Sequence, residues 1–189
     1  MTRPLLLAAA LVVAIATGQA RADDILDAID QSRKAYQAGD LATAKQSLDL
    51  ASQLIAQKNA ESFATLLPEP LAGWKADKAQ TNAVGTAVFG GVSAASRTYS
   101  NDKGDTVDIS ISGDSALLMQ FGPVLSNPAM AGALGKLIRI GDQRAVQNQD
   151  GDLMMVVGNK VLINVQGSAD AATKIAYAKA IDVAKLGKL

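Results

Sequence analysis

Residues 136–166 read KLIRIGDQRAVQNQDGDLMMVVGNKVLINVQ, and this stretch decides the fold. It contains four short apolar runs, Lys136–Ile140, Gln143–Gln149, Leu153–Val157 and Lys160–Gln166. The runs are joined by two or three residues, among them Asp150-Gly151 and Gly158-Asn159, where glycine beside Asp or Asn supplies the backbone freedom a tight turn needs. Connections this short cannot hold the crossover that parallel strands require, so the four strands pair antiparallel.

Upstream, the alternation continues. Val107, Ile109 and Ile111 fall on one face of a strand over Thr106–Ser112, while Asp108, Ser110 and Ser112 fall on the other. Asn101-Asp102-Lys103-Gly104 turns the chain into that strand from Thr86–Ser100, which supplies one or two strands broken or bulged at Gly90-Gly91. Downstream, a helix is expected from about Ala169 to Ala184. Ser168 is its expected cap, and Thr173, Tyr177, Ile181 and Ala184 lie in one sector that covers a sheet face.

Farther from the sheet the period changes from 2 to 3.6. Ile25, Ala28, Ile29, Ser32 and Tyr36 recur at helical spacing, and Asp23 or Asp24 opposes the dipole of the first turn. Gly39-Asp40 stops this helix and caps the next, in which Leu41, Ala44, Leu48, Ala51 and Ile55 draw one apolar stripe along about four turns. The pair reads as an antiparallel αα-hairpin over residues 23–67.

Gly39-Asp40-Leu41 followed by Ala44, Leu48 and Ala51 resembles the second helix of a tetratricopeptide-type repeat, in which small residues let two helices approach and larger ones fill the groove. The resemblance covers about 25 residues and no second copy follows. Stacked arrays need about three repeats to bury a core, so the hairpin is expected to pack on the rest of the protein or on a second copy, with a peptide-binding groove as the alternative.

Leu66-Leu67-Pro68-Glu69-Pro70-Leu71-Ala72-Gly73-Trp74 marks a boundary, because two prolines within three residues forbid helix continuation. The composition changes here from Ala/Gln/Leu to Gly/Ser/Val, and residues 68–82 read as a linker ahead of an α+β domain over 83–189. A Leu-Pro-x-Pro-x-Gly-Trp stretch opening such a sheet resembles a group of uncharacterised exported bacterial proteins with the same helix-then-sheet order. The order of hairpin, helical excursion, meander and terminal helix also resembles the photosystem extrinsic-subunit fold. Neither resemblance implies an activity.

The helical excursion, Ser115–Gly135, runs 21 residues without a charge. Gly122-Pro123 and Pro128 are expected to break it into two short helices, too short to span a bilayer. Leu117, Leu118, Met119, Phe121, Val124, Leu125 and Met130 are its candidate contact residues. One reading makes them ordinary core. The other makes them a lid or contact patch where they meet the sheet, since flexible Met side chains, glycine hinges and prolines suit a surface that takes a lipid-like ligand or a partner.

Composition narrows the chemistry. The 189 residues include no Cys and no His, which removes thiol nucleophiles, disulfides, thiolate zinc sites and imidazole bases. Asp102, Asp105, Asp150 and Asp152 sit at expected turns, where Asp is favoured for backbone reasons. They lack the ligand count and terminal Glu of a calcium loop. Met154 and Met155 are adjacent in a strand and point to opposite faces, so core packing is preferred over a thioether copper site. No metal ligand, cofactor or catalytic residue is assigned.

Arg3, the apolar run Leu5–Ala16 and the small residues Ala20 and Ala22 form a signal peptide over 1–22, with cleavage expected after Ala22. Loss of Arg3 and Arg21 leaves 16 basic against 18 acidic groups, a balance that argues against nucleic-acid binding. The expected architecture is an α+β fold: an N-terminal antiparallel αα-hairpin, then an antiparallel sheet of five to seven strands with helices packed on one face. The expected function is that of a non-enzymatic, exported (periplasmic or secreted) binding or accessory protein acting through contacts with an unknown protein partner. The alternative is a carrier of a small apolar or lipid-like ligand beside 115–135. A His-free hydrolase or lyase is the third class.

Overall fold

The structure, a computed structural model, describes residues 20–84, 92–113 and 115–188, without the side chains at 20–23, 115, 125, 126 and 128. The expected signal peptide, apart from its last three residues, and the break expected at Gly90-Gly91 lie outside the described residues. The α+β architecture is present: helices α1 (Ala20–Gln37) and α2 (Leu41–Thr65) precede an open antiparallel sheet.

The sheet holds β1 (Trp74–Ala76), β2 (Gln80–Val84), β3 (Val92–Asn101), β4 (Thr106–Ser112), β5 (Lys136–Ile140), β6 (Gln143–Gln147), β7 (Leu153–Val157) and β8 (Val161–Gln166). Their order is β1-β3-β4-β8-β7-β6-β5, and β2 pairs with the same edge of β3 as β1 does. Eight strands therefore occupy seven positions. The segment expected to be a linker, 68–82, contributes β1 and the start of β2, because Trp74–Ala76 and Gln80–Val84 find the free edge of β3.

Two hairpins close with the same device. In Asn101–Asp105 and again in Asn148–Asp152, the Asn side-chain oxygen accepts from the Asp backbone N–H, at 3.0 and 2.8 Å, and its amide donates to the Asp carboxylate, at 2.8 and 3.1 Å. The glycine before each Asp takes positive φ, +87° at Gly104 and +80° at Gly151. These acidic residues are thus turn formers, as expected.

Register sorts the sheet into two faces. Val107, Ile109 and Ile111 align with Tyr99 and Ala95 on one side and with Val165 and Ile163 on the other, continuing through Met155 and Ala145 to Ile138. This face forms the main core with Phe63 and Leu67, with Tyr177 and Ala178 of α5 (Ala171–Ala180), and with Leu186 of α6 (Val183–Leu186). The opposite face carries Val146, Met154, Val156 and Leu162 under α3 (Ser115–Ser126) and α4 (Pro128–Leu134). Helices therefore cover both faces rather than one. The reason is that β6, β7 and β8 are apolar on both sides, and the second apolar side needs a cover.

The terminal helix differs in detail from the sequence reading. Asp170, not Ser168, caps α5 by accepting from the Thr173 N–H at 2.7 Å, and this bond holds the Asp170 carboxyl below the usual carboxylate range. The Ser168 hydroxyl instead accepts from the Thr106 N–H at 2.8 Å. The helix ends at Ala180, and Asp182 caps a separate last turn. Ala184 is exposed, and Lys174, near the start of α5, is fully buried.

Pro68–Trp74 is fastened where two buried tyrosines meet. The Tyr99 and Tyr177 ring centroids are 4.5 Å apart, and Trp74 meets Tyr177 edge-on at 5.6 Å. The Tyr99 hydroxyl donates to the Pro68 carbonyl at 2.6 Å, and the Leu71 N–H donates to the Tyr177 oxygen at 3.3 Å.

Burial pushes the Tyr99 phenol up to about 12, against the lowering pull of Arg97, and burial raises Tyr177 as well. An unfolded chain ionises tyrosine near pH 10, so above that pH the unfolded state has released a proton that the native state still holds. Stability therefore falls as pH rises from about 10 to about 12. Urea unfolding midpoints are expected to drop across this window, and to drop less steeply in Tyr99→Phe; an equal slope in the variant would place the titrating groups elsewhere.

Candidate functional site

The charge-free excursion divides its residues between core and surface. Leu117, Leu118 and Phe121 of α3 are half-buried and pack over Val146, Leu162, Met154 and Val156, with Ala131 of α4 fully buried among them. Val124 is half-buried, whereas Met119 is 80% exposed and Met130 is exposed. The side chain of Leu125 lies outside the described residues. The six described contact candidates thus divide between the layer on the sheet and the outer surface. At 3.6 residues per turn, Met119 points away from the face that Leu117, Leu118 and Phe121 share.

The expected break at Gly122-Pro123 does not occur. Helix α3 runs through Pro123 to Ser126, losing one backbone hydrogen bond, and the chain breaks at Pro128, the second of the two expected positions. There the Asn127 side chain accepts from the Ala129 N–H at 3.0 Å, and Pro128 begins α4.

One pocket lies beside this layer. Phe121, Leu134, Val146 and Met154 give it an apolar floor, and Asn148, Asp152, Asn164 and Gln166 give it a polar rim, around a cavity of about 240 Å³. Among the described contact candidates only Phe121 reaches it. The rim was not legible in sequence, because Asp152 read as a turn residue while Asn148, Asn164 and Gln166 fell in expected strands whose register no local pattern sets. Register brings them together: Met154 pairs with Asn164 and Val146 with Met154.

Asp152 is already engaged. Its carboxylate accepts from Lys174 at 2.6 Å, and the Lys174 ammonium also donates to the Asp150 carbonyl at 2.9 Å. Lys174 is fully buried and thereby ties α5 to the β6–β7 turn. Contact at that turn is close enough that a Cβ added at Gly151 would sit 2.9 Å from the Ala171 Cβ. Without the ammonium the Asp152 carboxylate, 29% exposed, would keep its bond from the Asn148 amide but lose its tie to α5. Among the described residues no group of three or more acidic side chains is placed to hold a metal ion.

The second candidate is the hairpin, which departs most from expectation. Helices α1 and α2 meet along small residues: Ala28, Ser32, Ala44, Ser47 and Ala51 are buried, and the Ser32 hydroxyl donates to the Ala44 carbonyl at 2.9 Å. The large members of the expected stripe are outside. Tyr36 is 68% exposed, Leu41 65% and Leu48 54%, with Ile29 and Ile55 exposed too. A small-residue seam brings the axes close and leaves no room between them for Leu or Ile, which are displaced to the flank.

Toward its C-terminus α2 turns another face to the sheet. It extends to Thr65, with Ala56, Ala60 and Phe63 buried and the Gln53 side chain donating to the Ala83 carbonyl at 3.0 Å. Between seam and sheet lies an open groove of about 530 Å³, lined by Ile29, Leu48, Ile55, Val84 and neighbouring small residues.

Replacing Ala51 by Glu should destabilise the protein by about 3 kcal/mol, since an overpacked contact and a buried charge act together. Leu48→Ser should stay within about 0.5 kcal/mol, as exposed positions do. Urea denaturation of the two variants checks this, and similar losses in both would mean that Leu48 is packed.

No family model, curated protein or solved structure matches this chain.

Proposed function

We propose that this is a non-enzymatic, exported accessory protein that works through a protein contact on the apolar side of its helical hairpin. The observation that carries the reading is the inversion within the hairpin: small side chains are buried and large apolar ones face water. Leu26, Ile29, Tyr36, Leu41, Leu48 and Ile55 are all exposed over two adjoining helices. Scattered exposed apolar residues need no explanation, but a contiguous set beside a groove marks an interaction surface. Export rests on the leader-like composition of residues 1–22, and the absence of Cys and His leaves few groups for catalysis.

A photo-crosslinking residue placed at position 48 in intact cells should give protein adducts, and one at position 50, on the other flank of α2, should give none. Mass spectra of the same material should show a chain beginning at Asp23. Equal labelling from both positions, or retention of Met1–Ala22, would count against the contact surface and the export reading respectively.

The pocket beside Phe121 favours a second reading, a carrier of a small apolar ligand. Its uncharged amides, Asn148, Asn164 and Gln166, suit a neutral polar head over an apolar tail. An environment-sensitive apolar dye should lose affinity in Phe121→Ala and keep it in Met119→Ser, because Met119 lies outside the pocket. Equal affinity in both variants would remove the carrier reading.

A further inference from the structure

We infer that the occupant of the hairpin's apolar side is a second copy of this chain, which seats the same side of its own hairpin there and closes a four-helix bundle. The inference rests on the reading of that side as a protein contact surface, and four observations select a second copy.

The first is geometric. On each helix the exposed apolar residues are offset in the same rotational sense from the Ala/Ser seam: Ile29 and Tyr36 from Ala28 and Ser32, and Leu41, Leu48 and Ile55 from Ala44 and Ala51. Because α1 and α2 run antiparallel, equal offsets bring both sets to one side of the hairpin. The result is a ladder with a rung of Tyr36 and Leu41 at the turn and Ile29 beside Leu48 and Ile55 farther along. Such a two-helix ladder is close to two-fold symmetric in itself, and a self-complementary patch is what an isologous dimer requires.

The second is charge. Arg33 pairs with Asp30 at 3.1 Å and Lys45 with Asp49 at 2.6 Å, each within its own helix. The flanks are therefore balanced. A second copy meets no net repulsion there, and a strongly charged partner meets no opposing field.

The third is area. The five large side chains of the ladder, each about half exposed, offer on the order of 500 Å² per copy, and two copies reach on the order of 1,000 Å², the lower end for a specific interface. The fourth is architecture: α1 packs on α2 and α2 packs on the sheet, and neither contact covers the exposed side chains of the ladder.

Sedimentation of the purified protein from about 1 to about 100 μM tests this, the range expected for an interface of this size. The wild type should pass from one chain mass to two across the series. Leu48→Glu should raise the dissociation constant at least about tenfold, and Tyr36→Ser should weaken association in the same direction. Leu50→Glu, an exposed leucine on the other flank, should leave it unchanged. Circular dichroism melts show that each variant is folded; if Leu48→Glu fails to fold, Tyr36→Ser carries the comparison.

A wild type that stays at one chain mass throughout overturns the inference, as does Leu50→Glu disrupting association as much as Leu48→Glu or Tyr36→Ser. The crosslinked adducts separate the two levels of the argument. An adduct of twice the chain mass from position 48 supports the second copy. An adduct of any other mass, with a monomeric wild type, refutes the second copy and leaves the accessory reading standing. Neither adduct nor dimer removes both.

Discussion

Two phenol rings buried 4.5 Å apart hold the parts of this protein together. Tyr99 comes from β3, Tyr177 from α5, and the carbonyl that receives the Tyr99 proton belongs to Pro68, in the segment that leaves the hairpin. One aromatic contact thus joins the sheet, the terminal helix and the exit of α2. With Pro68 fixed, Phe63 and Leu67 come down on the sheet face beside Val107 and Ile109. The direction in which α2 leaves the sheet follows, and so does the groove between α2, β2 and β3. A tyrosine suits this role better than a phenylalanine because its ring is buried among apolar side chains while its hydroxyl donates to the Pro68 carbonyl, which Arg97 also reaches at 3.3 Å.

The sheet itself is asymmetric. One face is apolar from β3 across to β5 and is closed by α2, α5 and α6. The other is polar over β3 and β4, where Ser96, Thr98, Ser110 and Asp108 point outward, and apolar only over β6, β7 and β8, where α3 and α4 cover it. The charge-free excursion therefore serves first as a second core layer. What it leaves open is the margin of that layer, where Phe121 and Leu134 stop short of Asn148, Asn164 and Gln166 and a pocket remains.

The hairpin is assembled on a different principle from the sheet. Its internal contact uses Ala and Ser, whose removal from water contributes little, and so its stability leans on the sheet contact of Ala56, Ala60 and Phe63. Its larger apolar side chains are in reserve on the outside. The exposed ladder of Ile29, Tyr36, Leu41, Leu48 and Ile55 is the side on which the proposed contact would form.

Much of the fold was legible in the sequence. Strands β4, β5 and β7 have the expected limits, and the turns fell where Gly follows or precedes Asp or Asn, because period-2 alternation and positive-φ turns are local properties of the chain. The hairpin, with Gly39-Asp40 at its turn and Asp40 accepting from the Thr43 N–H, was legible for the same reason. Periodicity says which residues share a face, however, and not what that face meets. The stripe of Leu41, Ala44, Leu48, Ala51 and Ile55 is real as a helical sector, yet only its two alanines are buried, because the approach distance set by Ala28 and Ser32 on the other helix decides which residues fit between. The pocket rim was equally beyond reach, since Asn148 and Asn164 come together only through strand register. Sequence alone determined the helical hairpin, the strands from β4 onward and the antiparallel pairing of the meander. Tertiary structure decided which helices cover which face, which leucines are left outside and where a cavity remains, because those outcomes depend on distances between segments that no local pattern encodes.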